Sequence, residues 1–356
     1  METHTKTKLK KRTKNMVASN TAINTAAAEN EFGFDESFES KRNEGHPFAQ
    51  LINPSMPISD EEGNSRLQPY GLAIRLDNAE KVGLTSTSLT ENGWEEVDYK
   101  FTSGSEKLWM TRKPRFVIVK KTPVFVLDKS TKRTVGKFDE KVYNNLLHKT
   151  FTEAFILILG KNNELLHSIP EGDEFDPESE EALPMPLKIK LGGAGGTRFG
   201  VSYKSYDKEL KLEKGFIAEL ELAYAQLRGE KKPKKMNSIW YAHGIFAPTI
   251  TSKPAGTPPN VKDVCDFSKY EVPTPEKLGQ NLIKAKTELS KLIIASHNKY
   301  EQYTPKIGST NLDILDDVEE FGTATSGRPK VPASAYMAGT QVTAKIEVSD
   351  ADMPPY

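Results

Sequence analysis

Apolar and polar residues alternate in several short runs of the chain, and this alternation predicts β-strands. In LQPYGLAIRL (67–76), a Pro-Tyr-Gly turn precedes Leu72, Ile74 and Leu76. RFVIVKK (115–121) and PVFVLDK (123–129) are rich in β-branched and aromatic residues, which favour strands. A proline lacks the backbone donor of a ladder, so Pro123 is expected to open its strand or to lie at an edge.

Two longer stretches predict pairs of strands. FTEAFILILGKNNELLHSIP (151–170) contains two apolar runs around a Gly-Lys-Asn-Asn turn, which indicates a hairpin. PLKIKLGGAGGTRFGVSY (186–203) alternates at Leu187, Ile189 and Leu191, and apolar residues return after the glycines. We expect a second pair of strands there, joined by a flexible glycine-rich tip.

Helices are predicted in three segments. GLTSTSLTENGW (83–94) reads as a short helix ended by Asn92 and Gly93. Residues 208–228 have high helix propensity, although Gly215 weakens the middle. Residues 271–300 carry leucines on one helical face, with Thr274 as the expected N-cap and Pro275 at the first helical position.

These elements predict an α+β fold, an antiparallel β-meander or partly open barrel with packed helices, flanked by disordered N- and C-terminal tails. Residues 1–65 are expected to be a disordered basic arm and residues 66–305 the core domain. An acidic, low-complexity linker follows at 306–348, and an acidic-aromatic tip at 349–356 ends the chain.

Composition indicates in which cellular setting the protein can act. The chain has 356 residues, 37% of them hydrophobic, and a mean hydropathy of −0.56, which fits extended disordered segments. Cys265 is the single cysteine, so an intrachain disulfide is excluded and a reducing, cytoplasmic setting is expected.

The apolar run at 154–159 is too short to span a bilayer, and residues 1–28 lack the apolar core of a secretory signal. A basic arm fits residues 1–28 better than a transit peptide does.

The net charge is zero, but the charges are segregated along the sequence. Residues 107–137 hold ten Lys or Arg and one acid, Asp128, and KKPKK follows at 231–235. The compensating acids lie at 171–181, at 313–320 and in the tip. Segregated charges generate a field that a charged partner can use.

Aromatic residues stand among these cations, which is typical of surfaces that bind single-stranded nucleic acid. Cations contact the phosphate backbone, and aromatic faces stack on exposed bases. The alternative is that Trp109, Phe125 and Trp240 only pack in the core and the lysines are an ordinary solvated face. The predicted nucleic-acid-binding residues are Trp109, Arg112, Lys113, Arg115, Lys120, Lys121, Phe125, Lys132, Arg133, Arg198, Lys234, Lys235, Trp240 and Tyr241.

Other chemistry finds little support in the sequence. The glycines of LGGAGGTRFG (191–200) lack the Lys-Ser/Thr ending of a phosphate loop, although the backbone there or Arg198 could approach a phosphate. The six histidines show no metal-ligand spacing, and His167 and His243 are expected to pack or to lie at the surface. The chain shows no nucleophile elbow and no placed pair of carboxylates. We therefore expect no enzyme activity, no cofactor and no metal site.

The final residues, SDADMPPY, resemble the C-terminal tips of bacterial and phage single-stranded DNA-binding proteins. Those tips join acidic residues to a hydrophobic, proline and aromatic close; here the close is Pro-Pro-Tyr and Ala351 interrupts the acids. The resemblance implies docking on replication, repair and recombination proteins, and competition with DNA for the basic surface. The predicted partner-binding residues are Asp350, Asp352, Met353, Pro354, Pro355 and Tyr356.

A second resemblance covers most of residues 66–300. PYGLAIRLDN (69–78), LLHSIP (165–170) and MNSIWYAHGIFAPTI (236–250) resemble a family known mainly from cyanobacteria and their mobile elements and described only as a domain of unknown function. This resemblance implies a phage or plasmid setting and no particular activity.

The sequence thus predicts a single-stranded DNA-binding, annealing or recombination accessory protein, with a tip that recruits other proteins and with no membrane partner. The alternative is a structural or assembly protein of a phage or other mobile element that binds no nucleic acid. Either function is compatible with a homo-oligomer.

Overall fold

The structure is a computed structural model, which describes residues 46–55, 58–59, 65–66, 68–101, 104–168, 183–256, 258–259 and 261–308. Its strands are β1 (Phe48–Ile52), β2 (Ile58–Ser59), β3 (Ser65–Arg66), β4 (Gly71–Arg75), β5 (Glu95–Phe101), β6 (Gly104–Thr111), β7 (Phe116–Lys121), β8 (Phe125–Asp128), β9 (Thr134–Lys137), β10 (His148–Ile158), β11 (Leu187–Gly192), β12 (Ser205–Asp207), β13 (Leu212–Lys214), β14 (Ile245–Phe246), β15 (Pro248–Ala255) and β16 (Lys262–Tyr270). Its helices are α1 (Leu76–Lys81), α2 (Ser86–Glu91), α3 (Gly193–Tyr203), α4 (Phe216–Leu227), α5 (Ser238–Ala242), α6 (Leu278–Asn281) and α7 (Glu288–Tyr300).

Ten of these strands form one mixed sheet. Eight follow the order β14-β7-β10-β11-β1-β4-β6-β5, while β8 pairs with β10 and β9 pairs with β8. The ladders are antiparallel except between β1 and β11, where Phe48 lies opposite Lys188 and Ala49 opposite Ile189. In the described residues the order ends at β5 and at β14, so the sheet does not close into a barrel. Antiparallel strands with packed helices confirm that part of the predicted fold class.

The alternation in the sequence assigns side chains to the two faces of the sheet, as in β11, where Leu187, Ile189 and Leu191 are buried. One face carries the largest core, which α1 to α4 and the β15–β16 hairpin cover. On the other face, a second cluster joins Val117, Val119 and Leu157 to Ile293 of α7. A third cluster lies where β5 and β6 pair, around Tyr99 and Leu108.

The predicted strands at 115–121 and 123–129 are confirmed by β7 and β8, and the helix ended by Asn92 and Gly93 is confirmed by α2. In the predicted hairpin at 151–170, the first strand is β10, which also extends back to His148. The second run contributes only a bridge between Leu165 and Leu159.

The glycine-rich connection at 191–200 does not join two strands, and this expectation was wrong. The glycines open α3, which begins directly after β11. They let the helix lie very close to the strand: a Cβ on Gly196 would stand 2.6 Å from the carbonyl carbon of Leu191. Phe199 and Tyr203, four residues apart and so on one side of the helix, face the core.

Two predicted helices are shorter than expected. The segment 208–228 contributes α4 only from Phe216, because Gly215 has a φ of 90° and cannot continue a helix. The residues before it contribute to the β12–β13 hairpin. In 271–300, the long helix is α7, and its N-cap is Thr287, whose side chain accepts from the Ser290 N–H, and not Thr274.

The fold also begins earlier than residue 66. β1 lies inside the sheet, between β11 and β4, although its sequence FAQLI carries only a weak strand signal. Residues 1–45 and 309–356, with most of the predicted arm, the linker and the tip, lie outside the described residues. None of the helices in the described part of the chain has the length and apolar character needed to cross a bilayer.

Candidate functional site

The structure distributes the predicted cations over several separate places. Arg112 and Lys113 are exposed in the turn between β6 and β7, whereas Lys121 lies at the far end of β7. Strand β7 alone, from Phe116 to Lys121, spans about 17 Å between that turn and Lys121. Lys132 and Arg133 lie farther on, in the turn between β8 and β9. The cations of residues 107–137 therefore do not form one continuous basic surface.

Two of the predicted stacking residues are core residues. The side chain of Trp109 is 7% exposed in the main core, and that of Phe125 is 2% exposed beside Phe151. Neither ring offers a face to a base, so both residues leave the candidate site. For these two aromatics, packing in the core was the correct alternative.

Three further predicted cations have structural partners. Arg115 donates to the carbonyls of Gly160 and Gln280, and burial lowers its pKa below the ordinary value. The Lys120 ammonium donates to the carbonyl of Glu301. Arg198, on α3, lies 3.4 Å from the carbonyl oxygen of Pro254.

The remaining predicted residues lie near one aromatic group at the β7 side of the sheet. Tyr224, Trp240 and Tyr241 are half-buried, and the Trp240 ring contacts the other two. The ring centroids of Tyr224 and Trp240 are 5.4 Å apart, and those of Trp240 and Tyr241 are 5.7 Å apart. We name this group, with the cations described next, the aromatic–basic cluster: Lys121, Lys204, Tyr224, Arg228, Lys234, Lys235, Trp240 and Tyr241.

Cations stand over two of these rings. The Lys204 ammonium lies 4.6 Å from the centroid of the Tyr241 ring, and the Arg228 guanidinium carbon lies 5.6 Å from that of Tyr224. Burial lowers the pKa of Lys121, and the nearby charge of Lys204 lowers it further. An ammonium in that position would gain from a phosphate anion beside it, because the anion offsets both effects.

Local sequence fixes the aromatic residues in place. Asn237 caps α5, and its side-chain oxygen accepts from the Trp240 N–H at 2.9 Å. The Tyr241 hydroxyl donates to Glu221 at 2.5 Å, and burial, helped by this hydrogen bond, raises the pKa of Tyr241. The tyrosine therefore stays neutral and its ring is held at the surface. Trp240 and Tyr241 lie on the short helix α5.

The lysine-rich segment 231–235 leads from α4 into this cluster. Lys234 and Lys235 are exposed, and Glu230 pairs with Lys234 at 3.2 Å and with Arg228 at 3.0 Å. In the part of the chain that the structure describes, Glu230 and Glu221 contact side chains of the cluster, and the charge of Glu213 lies close enough to Tyr241 to help raise its pKa. Cations thus outnumber acids there, which favours an anionic ligand.

Sequence reasoning missed Lys204, Tyr224 and Arg228. Tyr224 and Arg228 are four residues apart in a segment predicted to be helical, so their shared side could have been found. Lys204 could not, because it follows a helix that the glycines concealed. Within the described residues, no three His, Cys, Asp or Glu side chains are grouped so that they could hold a metal ion.

Comparison with known proteins identifies the family of the chain. No curated protein and no solved structure matches it. The model of one family, described as "Domain of unknown function (DUF5895)", matches residues 44–171 and 178–312. The match includes β1 and every other strand and helix that the structure describes. The chain therefore belongs to the DUF5895 family.

Proposed function

We propose that the protein binds single-stranded DNA through the aromatic–basic cluster. The observation that supports this proposal best is the contact of three half-buried aromatic rings, two of them with a cation over the ring. Aromatic rings of this kind stack on unpaired bases, and each stacked base contributes about 1–3 kcal/mol. Lys121, Lys204 and the lysines at 231–235 are suited to contact the phosphates.

The proposal favours single strands over duplex because of the aromatic rings. In a duplex the base faces are stacked on one another, so only an unpaired base can lie on Trp240 or Tyr224. Lysines alone would attract any nucleic acid. The cluster combines both features at one edge of the fold.

The tip at 349–356 keeps its proposed role as a recruiting peptide for replication, repair or recombination proteins. Its resemblance to the tips of single-stranded DNA-binding proteins supports this role, and the resemblance to a mobile-element family supports a phage or plasmid setting. The proposed role of the tip and the proposed phage or plasmid setting do not depend on where the DNA-binding cluster lies.

The test is the fluorescence anisotropy of labelled oligo-dT titrated with the full chain and with Trp240→Ala. The loss of one stacked base should weaken binding roughly 5- to 150-fold. The matched control is Arg112→Gln combined with Lys113→Gln, which removes two exposed cations outside the cluster. This control should bind as tightly as the unaltered protein.

Two results would contradict the proposal. One is binding that is micromolar or weaker and does not change with salt, because phosphate contacts make affinity fall as salt rises. The other is an equal loss in the Trp240→Ala variant and in the control. Large homo-oligomers without nucleic acid in native mass spectrometry would instead support a structural or assembly role.

A further inference from the structure

A second surface, away from the aromatic–basic cluster, exposes apolar side chains in the region of β8 and β9. Leu146 is 80% exposed and Ile307 is 71% exposed. Val135, Val142 and Leu147 are also exposed, to a smaller extent. Exposed apolar side chains grouped in this way commonly mark a binding surface. We name this group the β8–β9 surface: Val135, Val142, Leu146, Leu147 and Ile307.

Backbone contacts hold these residues in one region. The Lys129 N–H at the end of β8 donates to the carbonyl of Leu147 at 2.8 Å. The ring of Phe138, after β9, lies 5.2 Å from that of Tyr143. The Gly308 N–H donates to the carbonyl of Thr134 at 2.8 Å, so Ile307 lies beside β9.

The β8–β9 surface is also basic. Arg133, Lys137 and Lys141 are exposed around it. Two nearby carboxylates serve local turns: Asp128 accepts from Ser130 and Thr131, and Asp139 accepts from the Lys141 N–H at 2.9 Å. Glu140 is a further exposed acid. A ligand for this surface should therefore combine apolar side chains with negative charge.

The chain itself supplies such a sequence directly after it leaves this surface. Residues 312–321 read LDILDDVEEF, with apolar residues at every third position and no Lys or Arg. The segment carries five acids. Its repeating apolar residues are Leu312, Leu315, Val318 and Phe321, and its acids are Asp313, Asp316, Asp317, Glu319 and Glu320.

We propose that residues 312–321 bind the β8–β9 surface of their own chain. The four-residue step from Gly308 to Leu312 spans at most about 14 Å, so the segment starts close to the surface. A tether this short gives a local concentration in the millimolar range, so even modest contacts suffice. Apolar side chains of the segment cover the exposed leucines, and its acids face Arg133, Lys137 and Lys141. This inference is independent of the proposed DNA binding.

Disulfide trapping in the full chain tests this contact. The variant carries Leu146→Cys and Val318→Cys, and mild oxidation at about pH 8 should join them within one chain. The native Cys265 does not interfere, because it is fully buried and burial raises the pKa of its thiol to about 12. Peptide mass spectrometry identifies the linked pair.

The matched control keeps both cysteines and the tether but adds Asp316→Lys and Asp317→Lys. If the segment binds through charge and apolar contacts, the control should form the disulfide about tenfold more slowly. Equal rates in the two proteins would overturn the proposal, because the tether alone would then explain the disulfide. A disulfide between two copies, detected by mixing isotope-labelled and unlabelled chains, would also overturn it and would assign the surface to a second copy.

Discussion

His167 shows how the fold fixes the chemistry of a single side chain. The residue is 4% exposed, and its Nε2 accepts from the Ile158 N–H at 2.9 Å. Its Nδ1 must therefore carry the proton, which it donates to the carbonyl of Met185 at 2.9 Å. Burial lowers the pKa of His167 to about 4, although the hydrogen bond to Met185 opposes the shift. The sequence left open whether His167 packs or lies at the surface, and the structure shows that it is buried.

This histidine should make stability depend on pH. The unfolded chain binds a proton at His167 below about pH 6.5 and the folded chain only near pH 4, so acid favours unfolding in that window. We expect His167→Gln to be less stable at about pH 7.5, and we expect the difference to shrink by about 3 kcal/mol at pH 4. Urea denaturation of both proteins across this range measures the change. A difference that is constant with pH would contradict the assignment.

The aromatic residues mark the limit of what single positions in the sequence can reveal. Trp109 and Trp240 both stand near cations, but one lies in a strand buried inside the sheet and the other lies on a short surface helix. Whether a ring is exposed depends on which elements cover its strand or helix. The elements that cover a ring come from distant parts of the sequence, so the residues around Trp109 and Trp240 in the sequence could not show which ring is exposed.

Among the elements, α3 depends on close contact with the strand that precedes it. The ideal Cβ of an alanine at position 196 would approach backbone atoms of Leu191 to 2.6 Å and 3.0 Å. Relief of this overlap requires the helix to move away from β11, and overpacking of this kind costs about 1–3 kcal/mol. We therefore expect Gly196→Ala to be destabilised by that amount in urea denaturation.

Gly279→Ala is the matched control. Gly279 also lies in a helix, but a Cβ there meets no atom within 4 Å. The change should leave stability unaltered or raise it by up to about 1 kcal/mol, because alanine restricts the unfolded chain. Equal destabilisation by the two changes would mean that the close contact at Gly196 does not limit stability.

The strands were predictable to the extent that their residues prefer extended backbone. RFVIVKK and PVFVLDK are such runs, and both contain strands at nearly the expected bounds. The helix boundaries failed where one residue overrides the propensity of its neighbours. The positive φ of Gly215 starts α4 late, and the Thr287 cap starts α7 thirteen residues after the expected Thr274.

For the molecule as a whole, the segregation of charge that the sequence shows does not produce the single basic face that it suggested. Cations that are close in sequence lie at opposite ends of the sheet. The candidate site instead combines residues of β7, α4 and α5 with Lys204, directly after α3, and with the lysine-rich segment 231–235. Pairing of distant segments decides which charges meet. The patterns in the sequence do not predict which strands pair or in what register.

The tip offers a test at this level, which rests on the proposed DNA binding. Removal of residues 349–356 eliminates the two aspartates that, in the proposed role, compete with DNA for the cations of the core, while the shortened chain still ends in a carboxylate. We expect the shortened protein to bind oligo-dT as tightly as the full chain or a few-fold more tightly, most visibly at low salt. Anisotropy titrations measure the change. Loss of DNA binding would contradict the proposed role of the tip.

The central position of β1 has a consequence for how the chain reaches its native state. Strand β1 lies between β4 and β11, and near its start the ring of His46 contacts the carbonyl of Pro186, 140 residues later in the chain. Contacts between such distant segments slow folding, because a long loop must close before they form. During synthesis on the ribosome, the edge of β1 that pairs with β11 therefore has no hydrogen-bonding partner until β11 has emerged.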